Sequence, residues 1–237
     1  MSTLARAQVP RLLLVEDDTI SQSFFRQALK NLPAEVDACD CVAAAVTLTA
    51  GHHHDLWLVD VNLPDGDGIG LLRRLRAAYP GIPALAHTAD ASAELRTQLL
   101  DAGFCEVLVK PFSGDFLLKA VRRTLARGGD TASFASDELT HDWDETAALA
   151  ALNGQRQHLL ALRELFMAEL PITRDAVSEA LAHEDTAALK GQLHRLQASC
   201  GFVGAARLGR AVRQLHQDPA STQARSQFRD AISALLH

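Results

Sequence analysis

Five short apolar runs alternate with amphipathic stretches in the first half of the chain, and this alternation constrains the fold more than any other feature of the sequence. The apolar runs span residues 12–15, 35–38, 56–59, 83–86 and 107–109, and the second is the weakest. Helical periodicity fits residues 20–31, 41–49, 68–79, 92–102 and 113–127. Strands that alternate with helices in this way form a parallel sheet covered on both faces. We therefore predict an α/β domain built on a five-stranded parallel sheet.

Polar residues stand at the carboxyl ends of four of these runs. They are Glu16, Asp17 and Asp18 after the first run, Asp60 after the third, Thr88 after the fourth and Lys110 after the fifth. The ligands of an open parallel sheet bind at this edge. Clustered carboxylates need a cation, and oxygen ligands open to water suit Mg²⁺. A carboxylate can also attack phosphorus, while a hydroxyl and an ammonium each hold a phosphoryl oxygen.

Four motifs carry a resemblance to a known family. In order they are LLLVEDD at 12–18, LVDVNLPDGDG at 58–68, HTA at 87–89 and VLVKPF at 107–112. Residues 9–127 thereby resemble the receiver domain of two-component response regulators. The resemblance implies a flavodoxin-like fold with helices on both faces of the sheet. It also implies site roles: Asp60 as phosphoacceptor, Asp17 and Asp60 as direct Mg²⁺ ligands, Glu16 as a ligand through water, the Asn62 main-chain carbonyl as a further ligand, and Thr88 and Lys110 in the switch and salt-bridge roles.

The second half of the chain has helical spacing and no strand-like run. Leu189, Leu193, Leu196 and Cys200 form an i, i+4, i+7, i+11 stripe, which is typical of a helix with one buried face. Pro171 is expected to break or kink the chain. Residues 146–237 are therefore predicted to form an antiparallel four-helix bundle with an extra segment. Residues 128–145 between the domains are predicted to be a solvated acidic linker, because 129–145 hold six acidic residues and no Lys or Arg.

One histidine lies beside the apolar stripe between two glycines. Gly191 and Gly201 flank His194, and each mid-helix glycine costs about 1 kcal/mol relative to alanine. Small neighbours would let another protein approach the imidazole closely, and Lys190 and Arg195 add positive charge that suits a phosphoryl group. A histidine can act as a nucleophile near neutral pH. From these residues alone, a surface histidine beside incidental glycines is an equally open interpretation.

Residues 194–205, which read HRLQASCGFVGA, resemble the phosphohistidine segment of histidine-phosphotransfer (Hpt) domains. The resemblance covers about residues 150–237 and implies that His194 exchanges phosphoryl groups with receiver aspartates. Gln197 stands where the family usually has lysine, and Ala198 where it usually has glycine. In the receiver part, Val107 stands where an aromatic side chain often responds to phosphorylation.

Together the two halves predict a phosphorelay signalling protein. Asp60 would accept a phosphoryl group from a sensor histidine kinase, hybrid or separate, or from a phosphohistidine, and His194 would exchange with this or other receiver proteins. The sequence shows no kinase ATP-binding domain, so we expect a phosphotransfer protein and not an enzyme. In the main alternative, the receiver domain is a phosphorylation-dependent gate on the Hpt domain without internal transfer. An adaptor with a vestigial His194 is a third possibility. A phosphatase with an aspartate nucleophile is disfavoured because Asn62 stands where a second acid is required.

Charge and hydropathy exclude other classes. The formal net charge is −6 and no basic face is evident, so nucleic-acid binding is not expected. No run of eighteen apolar residues exists, so no membrane insertion is expected and a cytoplasmic location is predicted. The four cysteines are scattered and are expected to be reduced thiols. The tract His52-His53-His54 is predicted to be an exposed loop.

Overall fold

The computed structural model describes residues 9–127, 143–152 and 154–236, and its first half is built on the predicted five-stranded parallel sheet. The strands in chain order are β1 (Arg11–Val15), β2 (Glu35–Cys39), β3 (Leu56–Asp60), β4 (Asn62–Leu63), β5 (Gly66–Asp67), β6 (Ala84–Thr88) and β7 (Glu106–Val109). The sheet order is β2-β1-β3-β6-β7, and the short strands β4 and β5 pair as a separate antiparallel hairpin. This order is that of a flavodoxin-like fold. The predicted fold of the first half is therefore confirmed.

The helices of the first half lie close to the predicted ranges. They are α1 (Thr19–Leu29), α2 (Val42–Gly51), α3 (Gly68–Ala78), α4 (Ala93–Ala102) and α5 (Gly114–Arg127). Three aspartates fix where helices begin, because side-chain oxygens satisfy free N–H groups in the first turn. Asp18 and Asp67 cap α1 and α3, and Asp65 accepts from two N–H groups at the start of α2.

Strand β1 shows why the sheet is buried on both faces. Leu12 and Leu14 face one core with α1 and α5, whereas Leu13 and Val15 face a second core with α2, α3 and α4. All four side chains are fully buried. A central parallel strand needs apolar residues at successive positions because helices cover both faces.

The second half is a bundle of helices. They are α6 (Glu145–Ala151), α7 (Arg156–Ala182), α8 (Thr186–Val203), α9 (Ala206–Gln217) and α10 (Thr222–Leu236). The long helices α7 to α10 form the predicted four-helix arrangement, and the short α6 packs on α7 and α8. The predicted stripe on α8, which ends at Cys200, is buried along its whole length.

Pro171 was predicted to break or kink the chain. It does not end the helix, because α7 continues through this residue. The proline removes one backbone hydrogen bond from the helix. Buried side chains lie on both sides of it: Phe166 and Leu170 before it, and Val177 and Ala180 after it. Packing of this continuous apolar face stabilises the helix across the missing bond.

The bundle packs on the sheet domain through aromatic side chains. Phe202 of α8 stacks on Phe24 of α1, with ring centroids 4.2 Å apart. Phe112 lies edge-on to Phe202 at 6.0 Å. The core on the α1 and α5 side of the sheet therefore continues into the bundle, and this continuity holds α8 against the carboxyl edge of the sheet.

The histidine tract differs in part from the predicted exposed loop. His52 and His53 are exposed, but His54 is buried and its Nε2 lies 2.9 Å from Asp37 Oδ2. Burial lowers the pKa of His54, so the ring is neutral near pH 7. Asp37 also accepts two hydrogen bonds from the Arg11 guanidinium. The partner carboxylate comes from β2, which is separated in the sheet by β1 from the strand that follows His54, and the local sequence does not reveal this contact.

We expect the variant Asp37→Asn to lose about 1 kcal/mol of unfolding free energy at pH 7, as a partly exposed, charge-assisted hydrogen bond warrants. The Arg11 hydrogen bonds lower the pKa of Asp37 to about 2. A carboxyl whose folded pKa is depressed stabilises the fold above its unfolded pKa and loses this contribution as the pH falls towards 2. Roughly half of the difference between the proteins should therefore remain at pH 3. Urea unfolding of both proteins at pH 7 and pH 3 measures this difference. An equal difference at the two pH values would contradict the lowered pKa of Asp37.

Three further expectations concern the chain as a whole. The predicted linker 128–145 lies outside the described residues except for its last three positions. Within the described ranges, no helix is both long and apolar enough to cross a bilayer. All four cysteines are free thiols, and two of them, Cys39 and Cys200, are buried.

Candidate functional site

The carboxyl ends of β1, β3 and β7 bring two predicted carboxylates and the predicted lysine into contact. Lys110 Nζ donates to Glu16 Oε2 at 2.5 Å and to Asp60 Oδ2 at 2.7 Å. All three side chains are almost completely buried. A buried charge is tolerated when it is paired in this way. The predicted salt bridge to Lys110 is therefore present in the structure.

The charges of this cluster are set by burial and by Lys110. Burial raises the pKa of Glu16 well above its usual range, and Lys110 only partly offsets this. Burial also disfavours the charge of Asp60, but Lys110, His194 and His87 outweigh it and hold the pKa of Asp60 well below its usual range. Burial opposes the charge of Lys110 too, yet Asp60 and Glu16 raise its pKa. Asp60 is thus an ionised carboxylate beside a permanent ammonium.

The predicted metal ligands form an all-oxygen set at the same edge. Asp17 follows Glu16 at the end of β1, and burial raises its pKa to about 6. Asn62 begins β4, two residues after Asp60, and its backbone N–H donates to Asp60 Oδ1 at 2.8 Å. Three carboxylates here face two cationic side chains, Lys110 and Arg195. The oxygen donors of this set fit a hard divalent cation such as Mg²⁺.

Thr88 ends β6, the strand beside β3, and is buried. Its Oγ1 accepts a hydrogen bond from the Asp90 backbone N–H at 3.1 Å. The predicted hydroxyl therefore lies on the strand adjacent to Asp60, held at the start of the following loop.

His87 is a site residue to which the sequence analysis gave no role. It is the register partner of Asp60 on β6 and is fully buried. Its Nδ1 lies 3.4 Å from Asp60 Oδ2 and 3.5 Å from Glu16 Oε2. Burial, together with Lys110, lowers the pKa of His87 to about 4, so the ring is neutral. Lys110 already lies against the same two carboxylate oxygens, so the neutral ring faces a formed ion pair and is not an open metal ligand.

His194 lies directly opposite the predicted phosphoacceptor. Its Nε2 is 3.7 Å from Asp60 Oδ1, and Asn62 Nδ2 is 3.2 Å from the same nitrogen. Only 13% of the His194 side chain and 2% of the Asp60 side chain are exposed. The two residues predicted for separate domains thus face each other within one chain.

Three polar side chains of α8 contact the receiver edge around His194. Arg195 Nη1 lies 3.2 Å from Asp17 Oδ2, Ser199 Oγ donates to Asp18 Oδ2 at 2.7 Å, and Gln197 Nε2 donates to the Ala89 carbonyl at 3.0 Å. Gln197 is the departure from the usual lysine. In this structure its neutral amide donates a hydrogen bond to a main-chain carbonyl of the receiver domain. Glutamine at this position therefore contributes to the contact between the two domains.

A close approach is found at one of the two glycines of α8, but it is made by a residue of the same chain and not by another protein. A Cβ at Gly201 would lie 3.0 Å from the Cβ and Cγ of Pro111. A Cβ at Gly191 would meet nothing within 4 Å. The lack of a side chain at Gly201 therefore lets α8 approach the loop after β7.

Comparison with known proteins matches both halves of the chain. A family model for the response regulator receiver domain matches residues 12–122, and one for the Hpt domain matches residues 161–237. The signal transduction histidine-protein kinase BarA of Escherichia coli (strain K12) is 26% identical over 217 residues, which cover 87% of this chain and 23% of BarA. The sensor protein GacS of Pseudomonas syringae pv. syringae is 28% identical over 222 residues, which cover 88% of this chain and 24% of GacS. The chain spans about a quarter of the length of these curated relatives.

Among solved structures, the signal receiver domain of an HD domain-containing protein from Pseudomonas fluorescens Pf-5 has a TM-score of 0.49 at 28% identity. The match covers 53% of this chain and 92% of that chain. The family matches and the relatedness to BarA and GacS support a phosphorelay role. The chain therefore contains a response regulator receiver domain at residues 12–122 and an Hpt domain at residues 161–237, the two kinds of domain that two-component phosphorelays use.

Proposed function

We propose that this protein passes a phosphoryl group between Asp60 and His194 of the same chain, as one step of a phosphorelay. The observation that carries the proposal is the distance of 3.7 Å between Asp60 Oδ1 and His194 Nε2. Positioning and charge neutralisation supply most of the catalysis of phosphoryl transfer. Asp60 Oδ1 and His194 Nε2 are positioned close to each other, and the buried ammonium of Lys110 can neutralise charge beside them.

The two oxygens of Asp60 have different surroundings, and this difference selects the reacting atom. Oδ2 is held by Lys110. Oδ1 faces His194 and accepts only the Asn62 backbone N–H among the hydrogen bonds of the described residues. We therefore assign Oδ1 as the oxygen that accepts the phosphoryl group, while Lys110 and the Thr88 hydroxyl each hold one phosphoryl oxygen.

The exchange step balances without a further reactant. As the bond between phosphorus and Asp60 Oδ1 forms, the bond between phosphorus and His194 Nε2 breaks, and its electron pair returns to the imidazole. The reverse step uses the same atoms. An in-line transfer places phosphorus between the two atoms, so α8 must move outward slightly when a phosphoryl group is present.

The carboxylates of the receiver edge suit a Mg²⁺ ion in this step. Asp17 and Asp60 would hold the ion directly, together with the Asn62 main-chain carbonyl, and Glu16 would act through water. When bound, Mg²⁺ neutralises charge on the phosphoryl oxygens.

The packed arrangement also determines how outside partners reach the site. Both Asp60 and His194 are covered while α8 lies on the receiver domain. Exchange with a sensor histidine kinase or with another receiver protein therefore requires the two domains, proposed to span 9–127 and 146–237, to separate. This covering also favours the alternative in which the receiver domain gates access to His194. Receiver and Hpt domains are phosphotransfer modules, and neither matched domain is a kinase domain.

Labelling with a radioactive small phosphodonor tests the proposal. The donor is expected to label Asp60 first, as a base-labile acyl phosphate, and His194 afterwards, as an acid-labile phosphohistidine. Asp60→Asn should lose both labels, and His194→Gln should lose only the second. His183→Gln, which changes an exposed histidine of the same domain, should behave as wild type. If His194 never gains label from Asp60 but accepts it from a separate phosphorylated receiver in the Asp60→Asn variant, internal exchange is wrong and the gate is supported.

A further inference from the structure

Arg195 forms an ion pair with Asp17, a carboxylate that is also a proposed ligand of the cation. Its Nη1 lies 3.2 Å from Asp17 Oδ2. Lys110, the other cation of the site, contacts Glu16 and Asp60. In the packed structure the charge of Asp17 is therefore balanced by a residue of the Hpt domain and not by the receiver domain itself.

The two cations cannot both use Asp17 in its present position. Mg²⁺ demands near-ideal octahedral geometry and retains several of its waters. A guanidinium within hydrogen-bonding range of Asp17 takes the space of those waters and repels a divalent ion at short range. Arginine cannot relieve this repulsion by losing its proton, because its charge is permanent.

A cavity between the domains gives a hydrated ion a way to reach Asp17. It has a volume of about 280 Å³ and is lined by Asp17, Asp18, Glu169 and Arg195, among other residues. Three acids face one arginine in this lining. Burial raises the pKa of Glu169, and the nearby Asp18 adds to the shift. A divalent cation is the ion that such a lining attracts.

We propose that Arg195 and a divalent cation compete for Asp17, so that cation binding weakens the packing of α8 on the receiver domain. This inference rests on the proposed function, in which Asp17 is a cation ligand. Because coupling between two binding events is reciprocal, packing must weaken cation binding by the same factor. The cation-loaded receiver domain then opens more readily to outside partners. Transfer within the chain with the cation bound requires Arg195 to release Asp17 while Gln197, Ser199 and Phe202 keep α8 docked.

Mn²⁺ binding to the full chain, followed by the electron paramagnetic resonance signal of free Mn²⁺, tests the competition. Arg195→Met keeps the length of the side chain and removes its charge. It is expected to bind Mn²⁺ about five-fold more tightly than wild type. In wild type only the fraction of molecules whose Asp17 is free of Arg195 can bind the ion, and the variant removes this restriction. Arg229→Met removes the same charge from an exposed position on α10 and should stay within about two-fold of wild type. In small-angle scattering, saturating Mn²⁺ should increase the radius of gyration of the wild type.

The variant Asp17→Asn separates the two ways in which this account can fail. If Asp17→Asn binds Mn²⁺ as tightly as wild type, the ligand role of Asp17 is wrong and the competition falls with it. If Asp17→Asn loses Mn²⁺ but Arg195→Met binds it no better than wild type, the cation site stands and the competition is overturned. A radius of gyration that stays constant or falls on Mn²⁺ addition would also overturn the competition.

Discussion

A Lys110→Met variant is expected to lose about 3 to 5 kcal/mol of unfolding free energy, because it leaves buried carboxylates without their partner. Lys110 is the ammonium that contacts both Glu16 and Asp60, and all three side chains are almost fully buried. Without it, the two carboxylates must take up a proton or remain as buried, unpaired charges. Labelling of Asp60 by a small phosphodonor should also slow by about 10²- to 10³-fold, the usual cost of removing one charge-stabilising donor.

Two controls make this result specific to the ion pair. Lys119→Met removes an exposed lysine from α5 and should change unfolding free energy by less than about 0.5 kcal/mol. The double variant Glu16→Gln with Lys110→Met removes one of the orphaned charges and should recover part of the lost stability, which a double-mutant cycle of urea unfolding measures. A Lys110→Met protein as stable as Lys119→Met would show that the buried ion pair does not stabilise the fold.

The second large effect is expected from Gly201→Leu, which should slow transfer from Asp60 to His194 by about a hundred-fold or more, the scale on which small displacements of reacting groups cost rate. The leucine side chain would occupy the space of Pro111, which already lies 3.0 Å from the position of a Cβ. Leucine favours helix over glycine, so the bundle itself should remain folded. The loss is expected to come from the contact between domains alone.

Gly191→Leu is the matched control for this substitution. It makes the same change on the same helix, at a position where a Cβ meets nothing within 4 Å. This variant should transfer at a rate within about two-fold of wild type and gain up to about 1 kcal/mol of unfolding free energy from helix propensity. Far-ultraviolet circular dichroism checks that both variants remain helical, and labelling of His194 by a separate phosphorylated receiver checks that its imidazole is reactive. If Gly201→Leu still transfers label internally at the wild-type rate, α8 does not dock as the structure shows.

The strand ends of the receiver domain were predictable because local patterns determine them. Parallel strands end at one edge of a sheet, so Glu16, Asp60 and Lys110 had to meet once the strands were identified. Their contacts confirm that inference, while the roles of Asp17 and Asn62 as metal ligands stay predictions. His87 was missed because a buried histidine at a strand end does not show in hydrophobic alternation. Only the register with β3 places it beside Asp60.

Contacts between distant segments were beyond the reach of sequence patterns. His54 was predicted to be exposed, but its partner Asp37 comes from a different strand. Gly201 indicated a close approach by another protein, and the approaching residue is Pro111 of the same chain. Helical periodicity shows which face of α8 is buried in the bundle, but it does not show which surface the neighbouring face will meet.

The central claim is that the phosphoryl group passes between Asp60 and His194 of one chain, and the concentration dependence of the transfer tests it most directly. Asp60 is labelled with a small phosphodonor, the donor is removed, and the phosphohistidine label is followed over about a hundred-fold range of protein concentration. A transfer within one chain sees a fixed effective concentration, so the rate constant should be the same throughout. Mixed Asp60→Asn and His194→Gln chains should transfer only in proportion to their concentration. A wild-type rate that rises in proportion to protein concentration, or no transfer to His194 at all, would contradict the claim.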